Sequence, residues 1–169
     1  MQIEAEAVVR ALAMRDYAAV AKRLHYPENF SPKQRHEEEE AIVQALRFLA
    51  EKFGPTKVGE RLTKPPPYFE VGIFAGDLAY WSQVEKGSPT TTIVHRGTFA
   101  RLGSGVIAVK FTKLFGAWRI ESVQFGLLAS VPNARDAIVS IGREMIEAMT
   151  PSDPRDLDRE IEETIPHQP

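Results

Sequence analysis

The 169-residue sequence predicts an α+β domain: three N-terminal helices packed on a curved antiparallel meander sheet, with an added C-terminal helix. Three observations predict it. Apolar residues recur at helical spacing as far as Phe53, alternation takes over from Tyr68, and helical spacing returns after Asn133.

Ile3, Ala7, Val8, Ala11 and Leu12 form the apolar face of the first helix, and the pattern breaks at Arg15-Asp16. Asp16 then serves as the N-cap of a short second helix, Tyr17 to His25, with Val20 and Leu24 one turn apart. Pro27 ends it and pushes Tyr26 toward an extended conformation. The third helix is announced by Ser31-Pro32-Lys33-Gln34, which offers a cap, a proline at the first helical position and a glutamine at the capping-box position. Ile42, Leu46, Leu49 and Phe53 make its stripe, and Gly54-Pro55 stops it.

The alternating region divides into five expected strands: Tyr68 to Phe74, Leu78 to Val84, Thr91 to Arg101, Val106 to Phe115 and Trp118 to Leu127. Pro65, Pro66 and Pro67 form a stiff entry to the first of them. Ile93, His95, Gly97 and Phe99 share one face of their strand, and Ile107, Val109 and Phe111 share one face of the next. Keeping both sets together requires paired residue numbers that sum to an even value. The loop is therefore odd in length, for example Leu102 to Ser104. The next hairpin is expected to turn on Gly116-Ala117 as a type II′ pair, setting Phe115 opposite Trp118. Trp118 and Ile120 differ in parity from Val123 and Phe125, so a bulge is expected near Glu121-Ser122.

Asn133, with Asp136 three residues on, starts a fourth helix ending near Met149, with Ile138, Ile141, Met145 and Met149 along one face. The chain thus divides into a domain over 1–129, a helix over 130–150 and an acidic tail over 151–169. Within the tail, Leu157 and Ile161 suit either one more short helix or a solvated segment.

Composition excludes several classes of function. The hydrophobic fraction of 43% and charged fraction of 26% are globular values. A net charge of −2, without any cluster of Lys or Arg, gives no electrostatic footprint for nucleic acid. The absence of cysteine removes thiolate nucleophiles, disulfides and Cys-ligated metals. No apolar run approaches the roughly 20 residues that span a bilayer. Met1 to Arg15 lacks the apolar region of a secretory signal, so a cytoplasmic location is the default expectation, although an exported domain trimmed of its signal has the same sequence.

The Arg15-Asp16-Tyr17 break, the Leu24-His25-Tyr26-Pro27 exit and the closing Gly116-Ala117-Trp118-Arg119-Ile120 and Phe125-Gly126 segments carry a resemblance. Over roughly residues 3–127 the order of elements resembles the nuclear transport factor 2-like superfamily. That resemblance implies a cone with a pocket between helices and sheet, and frequent dimerisation through the outer sheet face. Its members include isomerases, dehydratase-like enzymes, cyclases and many proteins without catalysis, so fold alone does not decide function.

No cofactor and no metal site is expected. His36 is followed by four glutamates but lacks the second histidine of a metalloprotease helix, and the four histidines are scattered. Glu28 is the only carboxylate where an isomerase carries its acidic strand. Gly103-Ser104-Gly105 is a hairpin turn with no helix behind it, and Asp77 is read as turn chemistry. His95, on an apolar strand face, is the acid/base candidate if the protein is an enzyme, beside the plainer reading of a pocket-wall histidine. Tyr17, Tyr26, Tyr80, His95, Phe111 and Trp118 are the expected pocket lining. Arg96, Thr98 and Lys110, on the opposite sheet face, are the expected dimer surface, with Arg96 or Lys110 pairing to Glu121 or Glu70 of a partner. The favoured expectation is a non-catalytic homodimeric module binding a small apolar ligand or a protein. The alternative is a small-molecule lyase, isomerase or cyclase using His95.

Overall fold

The computed structural model describes residues 1–149. The tail readings at Leu157 and Ile161 lie outside the described residues. The elements run α1 (Gln2–Ala13), α2 (Tyr17–Arg23), α3 (Pro32–Phe53), β1 (Thr56–Leu62), β2 (Tyr68–Phe74), α4 (Leu78–Glu85), β3 (Thr90–Phe99), β4 (Gly103–Leu114), β5 (Ala117–Leu128) and α5 (Ala134–Met149). The strands form one antiparallel sheet in the order β1-β3-β4-β5-β2. It is an α+β fold, with three helices before the sheet and one after it.

The helix signals act through named bonds. The Asp16 carboxylate accepts from the Ala19 amide at 3.2 Å. The Ser31–Gln34 capping box is complete, with Ser31 N–H donating to the Gln34 side chain at 2.8 Å and Gln34 N–H donating to the Ser31 hydroxyl at 3.1 Å. The α1 helix ends in a Schellman motif: Asp16 N–H donates to Ala11 C=O at 2.8 Å and Arg15 N–H to Leu12 C=O at 3.0 Å. The second helix stops at Arg23, two residues before the expected end. Leu24 turns extended and bridges Ile120 in β5, and His25 N–H donates to Ile120 C=O at 2.9 Å.

Two elements differ from expectation. Leu78–Glu85 is a helix, where alternation suggested a strand. Asp77, read as turn chemistry, is its N-cap and accepts from Tyr80 N–H at 2.8 Å. Trp81 is the one buried residue of this helix and Leu78 is exposed, so the apolar residues of this segment do not build an alternating buried face. The edge strand β1 was not foreseen. Its sequence, Thr-Lys-Val-Gly-Glu-Arg-Leu, has little apolar content and becomes a strand by pairing with β3. The meander therefore covers only β3, β4 and β5, with β1 and β2 added at opposite edges.

Both hairpins keep the expected parity but move along the chain. In β3–β4 the pairs are His95 with Ile107, Gly97 with Gly105 and Phe99 with Gly103, which leaves the three-residue loop at Ala100-Arg101-Leu102. Gly97 and Gly105 face each other because the Phe99 ring lies across both. An added Cβ would stand 3.3 Å from that ring at Gly97 and 2.6 Å at Gly105. In β4–β5 Leu114 pairs with Ala117, so the turn is Phe115-Gly116. Both turn residues have positive φ, +50° and +79°, which is the type I′ form rather than II′. The bulge is at Glu121: Lys110 pairs with Ser122 and Phe111 with Ile120, leaving Glu121 as the extra residue.

The core lies between the sheet and the helices α1, α2, α3 and α5. At its centre Phe53 of α3 meets Phe99 of β3 edge-on, with centroids 4.7 Å apart, and Phe125 of β5 at 5.5 Å. Each such ring contributes about 1.5–3 kcal/mol through burial. This trio fixes the C-terminal end of α3 over the sheet, and the candidate site is built at that end.

Candidate functional site

A cavity of about 440 Å³ opens where α1, α2 and the end of α3 converge above the β3–β4 loop. Ile107 of β4 and Phe125 of β5 lie at its floor, and Leu12, Ala13 and Ala50 are among its apolar walls. Its polar lining is one-sided: Arg15, Arg47 and Arg101 against a single carboxylate, Glu51, together with Tyr17 and Thr56. None of the three guanidinium groups makes an ion pair with a described residue. The size and apolar floor suit a small-molecule pocket, whose usual range is about 300–1,000 Å³.

Each arginine is placed by backbone geometry. Arg15 occupies the left-handed position of the Schellman motif at φ +58°, where glycine is the usual residue. A side chain there costs of order 1 kcal/mol. Arg101 donates its backbone N–H to Phe53 C=O at 3.1 Å, and its Cγ would be 2.7 Å from a Cβ at Gly54. Gly54, at φ +78°, thus gives the chain its turn and gives the Arg101 stem its bed. Arg47 projects from α3 one turn before Glu51.

Of the residues expected to line a pocket, Tyr17 does so here. The others lie elsewhere. Tyr26 is buried, donates its hydroxyl to Ala21 C=O at 2.7 Å and carries the Arg35 guanidinium over its ring at 4.9 Å. Burial pushes its phenol well above the ordinary range. Phe111 is core, and Trp118 is half-buried near the β4–β5 turn. His95 is 7% exposed; its Nδ1 lies 3.4 Å from Gly59 C=O, and its Nε2 has no hydrogen-bond partner among the described residues. No carboxylate of a described residue forms an ion pair with it.

Tyr80 belongs to a separate cluster on α4. Its hydroxyl is 3.1 Å from His25 Nε2, and Trp81 donates its indole N–H to Ala75 C=O at 2.7 Å. Burial lowers the pKa of His25, and the positive charge of Arg119 lowers it further.

The expected dimer-surface charges find partners within the chain. Arg96 pairs with Glu60 at 2.7 Å. Lys110 holds both Glu85, from α4, and the bulge residue Glu121, the latter at 3.1 Å, and Thr112 donates its hydroxyl to Glu121. Burial pushes the Glu121 carboxyl above its ordinary range, and a hydrogen bond to Glu85 adds to the rise. Glu85 moves the other way, lowered by that bond from Glu121 and then by Lys110. Burial pulls Lys110 down, but its bonds to the two glutamates outweigh this and leave the ammonium above its ordinary value.

The arginine cavity escaped sequence reasoning because its residues come from three separate segments. One signal was available: an arginine, not glycine, ends α1. Among the described residues no group of three or more His, Asp or Glu is placed to hold a metal ion. Nor is any described helix long and apolar enough to cross a membrane. Comparison with known proteins returns no match, whether to a family model, a curated protein or a solved structure.

Proposed function

We propose that the chain is a non-catalytic binding module of the nuclear transport factor 2-like kind, taking a small ligand with an apolar body into the cavity floored by Ile107 and Phe125. The observation that carries the reading is the composition of that cavity. It combines an apolar floor with arginines and one exposed carboxylate, and it holds no histidine and no second carboxylate to form an acid–base pair. The enzymatic alternative has less support, because His95 is outside the cavity lining and its nearest polar neighbour is a backbone carbonyl.

A neutral fluorescent naphthylamine probe tests the proposal. Saturable binding to the wild type, lost in Ala50→Phe, is expected because a phenyl ring there fills the cavity. Unsaturable or absent binding overturns the proposal. Dimerisation through the outer face at Thr98 belongs to the same reading. A dimer mass in light scattering at micromolar concentration supports it, and a monomer mass removes it.

A further inference from the structure

We infer that the ligand of this cavity carries an anionic head, a carboxylate on an apolar body, held by Arg15, Arg47 and Arg101; the inference rests on the cavity reading above. Three observations point to it. First, Arg15, Arg47 and Arg101 line the cavity with a single carboxylate residue, Glu51, and none of the three makes an ion pair within the described chain. Among the described residues Lys110, Arg96, Arg23 and Lys52 each hold a glutamate, whereas the cavity gathers three arginines that hold none. Second, Arg15 sits where the backbone favours glycine, at φ +58°, so its side chain is kept against a local cost. Third, the Arg101 stem is bedded on Gly54 and its backbone is bonded to the end of α3, which fixes the base of this side chain at the cavity wall. The planar, multi-donor guanidinium suits a carboxylate, which takes two parallel hydrogen bonds from it. The apolar body then reaches the Ile107 and Phe125 floor.

Arginines beside the C-terminus of α3 also complement its dipole. That role changes stability and leaves ligand choice untouched, so the two are separable by experiment.

The test displaces the neutral probe with decanoate or with decanol, which share a chain and differ in charge. Decanoate is expected to bind about tenfold more tightly at low salt, the worth of a hydrogen bond to a charged group. The gap should narrow as salt rises. Arg15→Gln, Arg47→Gln and Arg101→Gln should each lower the decanoate-to-decanol affinity ratio severalfold, with circular dichroism as the control for folding. Arg15→Gly adds a signature of its own: it should raise the melting temperature while weakening decanoate. Equal binding of decanoate and decanol overturns the anion inference and leaves the cavity reading standing. Failure of both compounds and of the probe overturns the cavity reading itself. Loss of stability in the arginine variants, with the decanoate-to-decanol ratio unchanged, assigns the arginines to the helix dipole and also overturns the inference.

Discussion

The ring of Phe99 lies across Gly105 of the neighbouring strand, where an added Cβ would stand 2.6 Å from a ring carbon and 2.0 Å from the Gly126 carbonyl oxygen. The glycine is required by the aromatic residue and by the closeness of β5 together. Gly105→Ala is expected to destabilise the fold by about 1–3 kcal/mol or more, the usual cost of overpacking. Urea unfolding midpoints measure it. Adding Phe99→Leu should recover only part of the loss, since the contact with the Gly126 carbonyl remains. A fully recovered double variant would show that the ring alone set the constraint.

Glu121 gives the protein a pH dependence whose sign follows from burial. Its carboxyl is raised in the folded state, so the folded protein binds more protons than the unfolded one between the ordinary value of 4.5 and the raised value. Its contribution is fully present below 4.5 and declines as pH rises through the folded pKa. Glutamine mimics the protonated form. Glu121→Gln should therefore match or exceed wild-type stability at pH 7–8, and the difference should close as pH falls toward about 4.5. Melting temperatures across this range decide it. A variant whose deficit grows as pH rises would mean that the carboxylate bond to Lys110 outweighs the desolvation.

Trp81 is the only residue of α4 that is buried, and its indole N–H is bonded to Ala75 C=O. Trp81→Phe keeps most of the apolar area but leaves that carbonyl unpaired, a cost of about 1–3 kcal/mol. Hydrogen exchange should quicken along α4 first, with the β3–β4–β5 core unchanged. Uniform quickening across the whole chain would mean that α4 is integral to global stability.

His95 is buried with one ring nitrogen unpartnered among the described residues. His95→Phe should lie within about 1 kcal/mol of wild type, because removing the unsatisfied Nε2 offsets the lost Nδ1 contact with Gly59 C=O and the crowding of a larger ring. Probe binding should not change, since His95 does not line the cavity. A lost binding signal in a variant that remains folded would return His95 to the site.

Much of this architecture is local in origin and was legible without coordinates. The caps at Asp16 and Ser31 act within a few residues, and the parity of the strands requires an odd loop after Phe99 and a bulge at Glu121. Where such rules competed, tertiary contacts decided. The β3–β4 loop fell at Ala100-Arg101-Leu102, not Leu102 to Ser104, because that register brings Gly97 opposite Gly105 beneath Phe99. The cap at Asp77 overrode an accidental alternation in Leu78–Glu85, and β1 exists because β3 had an edge to pair.

The candidate site follows the same division. The sequence by itself determined where α1 breaks and that Arg15, not glycine, ends it. Only the tertiary structure brought Arg47 and Arg101 to that break. A helix and a hairpin loop distant in sequence meet there because the Phe53, Phe99 and Phe125 rings pull the end of α3 onto the sheet. Capping and parity act over a few residues and can be read along the chain, whereas a cavity is a property of surfaces that meet only when the core has packed.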